Sequence, residues 1–266
     1  MRTFGLGVAV VGVLACAGGD GVTEGPAAAP VPEAPRTALP DEQVPVAFVV
    51  RSGEHELYWT PEHPTADVVV FTMPGGWSSV PDGAVFEGVG AAGTVSLSYT
   101  GESGGKYGCD GGSDVTWATF SADGPLPEGV LALYPKGATG GRKSVPIALD
   151  GTPTVTSRAW KVGEGRMAIT RTDDLKADVA LELPGLASYR APYEAYRMEG
   201  AEEGAIDLSE GVDIGMPEPV LLVRGGPGAR LISRVPSYEG VHFEVVDIGA
   251  TAAQVVGRES LYWCAF

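Results

Sequence analysis

Residues 94–100 read Thr94-Val95-Ser96-Leu97-Ser98-Tyr99-Thr100. Val95, Leu97 and Tyr99 fall on one face of an extended chain and the hydroxyl residues on the other. An apolar period of two is the pattern of a half-buried β-strand. Asp178 to Leu183 repeats it, with Val179, Leu181 and Leu183 opposite Asp178, Ala180 and Glu182. Further short apolar runs occur at Val44–Val50, Leu57–Thr60, Asp67–Met73, Asp114–Phe120, Val130–Tyr134, Arg166–Arg171, Val220–Val223 and Val241–Ile248. No stretch sustains a period of 3.6. The best helical candidate, Pro192 to Met198, would make two turns at most. The chain of 266 residues holds 39 Gly and 21 Pro, which disfavours a helical bundle and favours strands joined by turns. Strands of this kind separated by Gly/Pro turns predict an all-β, antiparallel β-sandwich.

Four segments share a weak recurrence, in which an aliphatic strand runs into a Gly/Pro bend and on towards a proline. They are VVVFTMPGGWSSVP (68–81), VLALYPKGATGGRKSVP (130–146), VALELPGLASYRAP (179–192) and VLLVRGGPGARLISRVP (220–236). Such bends suit crossings from one sheet to another, because Gly supplies positive φ and Pro stops the hydrogen-bond ladder. The first and last copies continue alike, GAVFEGV (83–89) beside GVHFEVV (240–246). The repeat spacing is too irregular for a solenoid. The expectation is two tandem sandwich domains, residues 44–150 and 151–266, with one larger sandwich or a small propeller as alternatives.

The N-terminus carries an export signal. Arg2 supplies the positive charge, and Phe4 to Leu14 is an apolar stretch of 11 residues. A bilayer-spanning helix needs about 20, so residues 1–15 read as a signal peptide. Val13-Leu14-Ala15-Cys16 resembles the lipobox of bacterial lipoproteins, although Val13 and Leu14 depart from the family's usual Leu and small residue. The resemblance covers these residues alone. It implies cleavage before Cys16, acyl chains on Cys16 and attachment to a membrane through them. More than one chain on a residue gives stable anchoring. Ala17 rather than Asp follows Cys16, which by the same resemblance favours the bacterial outer membrane over the inner. Residues 17–43 contain 15 Gly, Pro or Ala among 27 and no aromatic residue. They cannot bury enough apolar surface to fold, so 16–43 reads as a tether, extended where Pro26, Pro30, Pro32, Pro35 and Pro40 fall.

The formal charge of −16 and pI near 4.5 argue against nucleic acid or anionic headgroups as partners. An unidentified envelope protein or a glycan is expected instead. Cys109 and Cys264 remain once Cys16 is set aside. In an oxidising compartment an even pair usually bridges, and a disulfide between them is expected. Two separate thiols are the alternative. The three His and three Cys of the chain form no C-x-x-C or Cys/His pair, so no metal site or cofactor is expected.

Gly101-Glu-Ser103-Gly-Gly105 matches G-x-S-x-G, and it echoes the GDSGG of trypsin-like proteases. The next seven residues, KYGCDGG (106–112), cannot start the helix that a nucleophile elbow requires. A glycine-rich hairpin loop accounts for the motif better, and no catalytic residue is assigned. His55, Glu56, Glu62 and His63 could converge on a metal from two strands, and Asp110, Asp114, Asp173 and Asp174 could join a calcium site. Surface turns explain both groups of residues. Trp77 follows Pro74-Gly75-Gly76 in a predicted turn, and with Trp59 and Tyr58 it is the candidate for stacking on a ligand. The sequence therefore predicts a lipid-anchored envelope protein with a non-enzymatic binding or structural role. A cell-surface carbohydrate-binding module and an envelope hydrolase are the alternatives.

Overall fold

The computed structural model describes residues 46–49, 59–61, 68–70, 80–107, 113–124, 129–197, 204–238 and 240–262. Arg36–Phe266 form one compact unit. Every regular element among the described residues is a β-strand, and all ladders are antiparallel. The antiparallel sandwich expected from the alternation is present, built from three sheets.

The first sheet takes β1 (Val46–Val49), β2 (Trp59–Pro61), β3 (Val68–Val70), β4 (Val85–Gly90), β5 (Gly93–Tyr107), β6 (Ser113–Ala122) and β7 (Val130–Pro135), in the order β2-β5-β4-β7-β1-β3-β6. β5 also pairs with β6, so one strand serves three ladders, with β2, β4 and β6. A bulge between Tyr99 and Gly101 bends it, and Gly101 holds φ +125°, where a side chain would be strained. Phe86, Leu97, Tyr99, Ala118, Phe120, Leu131 and Leu133 bury themselves on one face of this sheet. Gly88 sits among them because a Cβ there would lie 3.0 Å from Leu97 and 3.1 Å from Leu131. The Gly101–Gly105 motif is strand, in register from Gly101↔Thr119 to Gly105↔Val115, and not the hairpin loop expected. Its glycines allow the bulge; they do not form a turn.

The middle sheet contains β8 (Lys143–Val145), β14 (Glu218–Gly225), β15 (Gly228–Ser237), β16 (Gly240–Ile248) and β17 (Ala253–Tyr262), ordered β17-β16-β15-β14-β8. The outer sheet contains β9 (Ile147–Leu149), β10 (Ser157–Val162), β11 (Gly165–Arg171), β12 (Lys176–Glu182) and β13 (Tyr189–Glu194), ordered β13-β12-β11-β10-β9. The middle sheet is covered on both faces. Leu221, Val223, Ile232, Phe243 and Val245 pack against Val89, Ala132 and Tyr134 of the first sheet. Leu222, Leu231, Val246 and Ile248 face the other way, against Trp160, Met167, Ile169, Val179 and Leu181 of the outer sheet. Successive residues of a strand point to opposite faces, so a sheet covered twice must be apolar at consecutive positions.

The Gly/Pro bends divide by function. Residues 136–142 do cross from the first sheet to the middle one, between β7 and β8. The bends after β12 and β14 instead close hairpins within one sheet. Gly226-Pro227 forms a two-residue turn between the paired Gly225 and Gly228, and Gly226 holds φ +59°. Positive φ at the first central position followed by Pro is hairpin chemistry, whose twist keeps both strands in one sheet. The helical candidate at 192–198 is overturned. Pro192 to Glu194 complete β13, where Pro192 pairs with Asp178. Strand β13 is the sheet edge, so the N–H that Pro lacks breaks no ladder.

Residues 204–216 close one end of the middle and outer sheets. Ile206, Leu208 and Met216 are fully buried there. Arg158 donates to the Leu208 carbonyl at 3.2 Å, and Arg171 to that of Ile206 at 2.9 Å.

Because Leu231 and Ile232 are neighbours on β15 facing different buried layers, truncating either to Ala should cost a similar amount, about 2–5 kcal/mol. Urea unfolding of Leu231→Ala and Ile232→Ala checks this. If one substitution is near neutral, one face of the middle sheet is not covered.

Candidate functional site

The middle sheet carries a deeply placed ionised cluster on each of its faces, and cross-strand register places both. Arg230 of β15 lies opposite Asp247 of β16. Their side chains meet fork to fork, Nε to Oδ1 and Nη2 to Oδ2, both at 2.6 Å. Arg230 is 6% exposed. A guanidinium and a carboxylate matched in this way pair two donors with two acceptors, which offsets part of the cost of burying the charges. The pair faces the first sheet, where the Arg230 guanidinium lies 5.8 Å from the ring centre of Tyr134. Arg142, on the crossing between β7 and β8, lies 5.1 Å from the same ring. Burial pushes the Tyr134 phenol up, with Arg230 and Arg142 pulling it back.

Arg142 is held in place by its own turn. Its Nη1 donates to the carbonyls of Ala138 at 3.1 Å and Thr139 at 3.2 Å. Its backbone passes so close to β14 that a Cβ on Gly225 would stand 2.6 Å from the Arg142 Cα. Only glycine at 225 admits this approach. A cavity of about 300 Å³ opens beside these groups, with Arg142, Arg230, Asp247 and Tyr134 at its polar side. Pro227 and Ala250 supply apolar surface to its wall.

The second cluster faces the outer sheet. Glu244 of β16 is 1% exposed. Its Oε2 accepts from Arg258 of β17, Nε at 3.0 Å and Nη2 at 2.9 Å. Its Oε1 accepts from the Tyr193 hydroxyl and, at 3.4 Å, from that of Tyr189. The two phenols are 3.1 Å apart. Both belong to β13, so this carboxylate ties the edge strand of the outer sheet to β16 and, through Arg258, to the edge strand β17 of the middle sheet. Burial raises the Tyr193 pKa, and the hydrogen bond to Glu244 raises it further. Burial lowers that of His242, two residues from Glu244 on the same face, and Arg258 adds to the lowering.

Cys16, Tyr58, Trp77, Cys109 and Cys264 lie outside the described residues, as do His55, His63 and Asp110. Trp59 begins β2, opposite Tyr107 of β5. Asp114 lies in β6 opposite Lys106. Asp173 and Asp174 form the exposed turn between β11 and β12, where the Asp173 carboxylate accepts from the Asp174 N–H at 2.7 Å. Among the described residues no group of three His, Cys, Asp or Glu is placed to hold a metal. Exposed Tyr196 and half-buried Tyr238 make an aromatic pair, but their planes meet at 67° and give no shared platform for a sugar face.

The sequence reading missed Arg142, Arg230, Asp247 and Glu244. A signal existed in the runs Ala229-Arg230-Leu231-Ile232 and Phe243-Glu244-Val245-Val246-Asp247-Ile248, where charges interrupt otherwise continuous apolar sequence. A charge there must be buried and paired. No protein family, characterised protein or solved structure matches the chain.

Tyr193→Phe should cost about 1–3 kcal/mol at pH 8, because it removes a donor from a buried carboxylate. The alkaline dependence comes from the raised tyrosines. Tyr99 is pushed up to about 12 by burial and by Glu102 and Asp82. A phenol whose folded pKa exceeds the ordinary value of 10.0 stabilises fully below that value and loses its contribution as pH rises through the folded one. Stability should therefore hold to about pH 10 and fall towards 12, less steeply in Tyr193→Phe and Tyr99→Phe than in the wild type. Urea midpoints at pH 8, 10 and 11 read both effects. A wild-type midpoint at pH 8 for Tyr193→Phe would contradict the bridging role.

Proposed function

We propose that this chain is a lipid-anchored bacterial envelope protein whose folded part is a non-enzymatic binding or structural body held away from the membrane on a tether. The anchoring half of the reading rests on Val13-Leu14-Ala15-Cys16 and on the unfoldable composition of residues 17–43. By the same reasoning the outer membrane is its site.

The observation that carries the non-enzymatic half is where the buried ionised groups are used. Asp247 is matched to Arg230 beneath Tyr134, and Glu244 to Arg258, Tyr193 and Tyr189. Arg158 and Arg171 hold the 204–216 segment. Each of these groups connects one part of the stack to another. Catalytic acids and bases are instead held ready for a reacting atom, with pKa values tuned to the reaction. Charges committed to joining layers favour a stiff body that presents a surface.

Labelled palmitate fed to expressing bacteria should enter the wild-type protein and not Cys16→Ser, and the wild type should sediment with outer-membrane vesicles. A cleaved, soluble wild-type product with no label would overturn the anchoring.

A further inference from the structure

We propose that the cavity between the β7–β8 crossing and the β14–β15 hairpin is a binding site for a small organic monocarboxylate, with Arg142 as the residue that receives the carboxylate. The proposal rests on the reading of the folded part as a binding body and names the ligand class of one site on it.

Four features of the cavity converge. The first is the state of Arg142. Its Nη1 is tied to the carbonyls of Ala138 and Thr139. Its Nε and Nη2 have no protein partner among the described residues. Those two donors form the edge of a guanidinium that grips a carboxylate with two parallel hydrogen bonds. Anchoring Nη1 and placing the guanidinium against Tyr134 remove freedom that a flexible surface arginine would lose on binding.

The second feature is charge. Arg142 and Arg230 bring two positive charges to the cavity, and Asp247 takes up one of them. The local balance is a single positive charge in a chain of net charge −16. A monoanion neutralises it. A dianion such as phosphate would be left with an excess charge beside Asp247.

The third feature is the wall. Pro227 and Ala250 line the cavity, and the Tyr134 ring lies beneath the two guanidiniums. A bare inorganic anion gains nothing from such a wall. A carboxylate carried on a ring or short carbon body does.

The fourth feature is size and rigidity. About 300 Å³ is at the small end of ligand cavities and suits a single ring. Its frame is fixed by close backbone approaches. A Cβ on Gly228 would stand 2.6 Å from the Ile248 carbonyl, and one on Gly225 would strike Arg142.

The test is isothermal titration of the folded full chain with benzoate, glucuronate, sulfate and benzamidine at low salt. Benzoate or glucuronate should bind one to one with Kd of the order of a millimolar, a value ordinary for a fragment of about ten heavy atoms. The tighter of the two assigns the source, a free aromatic acid or an acidic sugar. Arg142→Gln keeps an amide near the Ala138 and Thr139 carbonyls and removes the charge. It should weaken binding at least tenfold while the urea midpoint stays close to wild type. If that variant is destabilised, Ala250→Trp provides the second arm. It leaves Arg142 in place and should abolish binding by filling the cavity. Sulfate binding as tightly as the carboxylates, benzamidine binding as tightly as benzoate, or carboxylate affinity unchanged in both variants would each overturn the site. No carboxylate binding to a wild-type protein that still incorporates palmitate would overturn the site and leave the anchored-body reading standing.

Discussion

The fold depends on a sheet whose central strands bury apolar side chains on both faces. β14, β15 and β16 carry apolar side chains at consecutive positions, Leu221-Leu222-Val223, Leu231-Ile232 and Val245-Val246. One residue of each neighbouring pair serves the first sheet and the next serves the outer sheet. Neither layer is therefore stabilised independently of the other through this sheet. A shift of one residue in the register of β15 would exchange every side chain between the two interfaces. It would bring Arg230 out from beneath Tyr134 and into the wall of Met167 and Leu181.

That consequence gives the buried ions a structural meaning beyond their net energy. A buried ion pair often contributes little against an apolar pair of the same shape, because desolvation offsets the attraction. What it does impose is a large cost on any arrangement that separates the partners. Arg230–Asp247 faces one interface and Glu244–Arg258 the other. Asp247 and Glu244 are three residues apart on β16, on opposite faces. Together they mark both the register and the orientation of the sheet. Arg258, 65% exposed, keeps much of its hydration while reaching Glu244, so the second pair is less costly to form than a fully buried one.

The sequence disclosed the strands of the flanking sheets better than those of the middle one. Residues 94–100 and 178–183 alternate cleanly, because one face of β5 and of β12 is more open than the other. β15 escaped notice because Arg230, Ser233 and Arg234 break its apolar run, yet two of those three are buried. Its true signal was the local context, a Gly-Pro hairpin turn feeding a run that continues to Val235. On sequence alone Pro192 to Met198 is the best helical candidate. The competing fact is tertiary: Tyr193 is drawn onto Glu244, fifty-one residues away in sequence. The candidate site was illegible for the same reason. Arg142, Arg230 and Asp247 come from three elements, and their meeting depends on a glycine at 225 and on strand register. No local spacing records it.

The most direct test of the account is native-state hydrogen exchange, read strand by strand. If the middle sheet holds the stack together, its ladder amides in β15 and β16 exchange only through global unfolding and are the slowest in the chain. Those of β4–β7 and of β10–β12 then exchange at equal or lower opening free energies. Amides of β15 and β16 that exchange faster than both flanking sheets would contradict it, because the flanking sheets would then be stable without the layer between them.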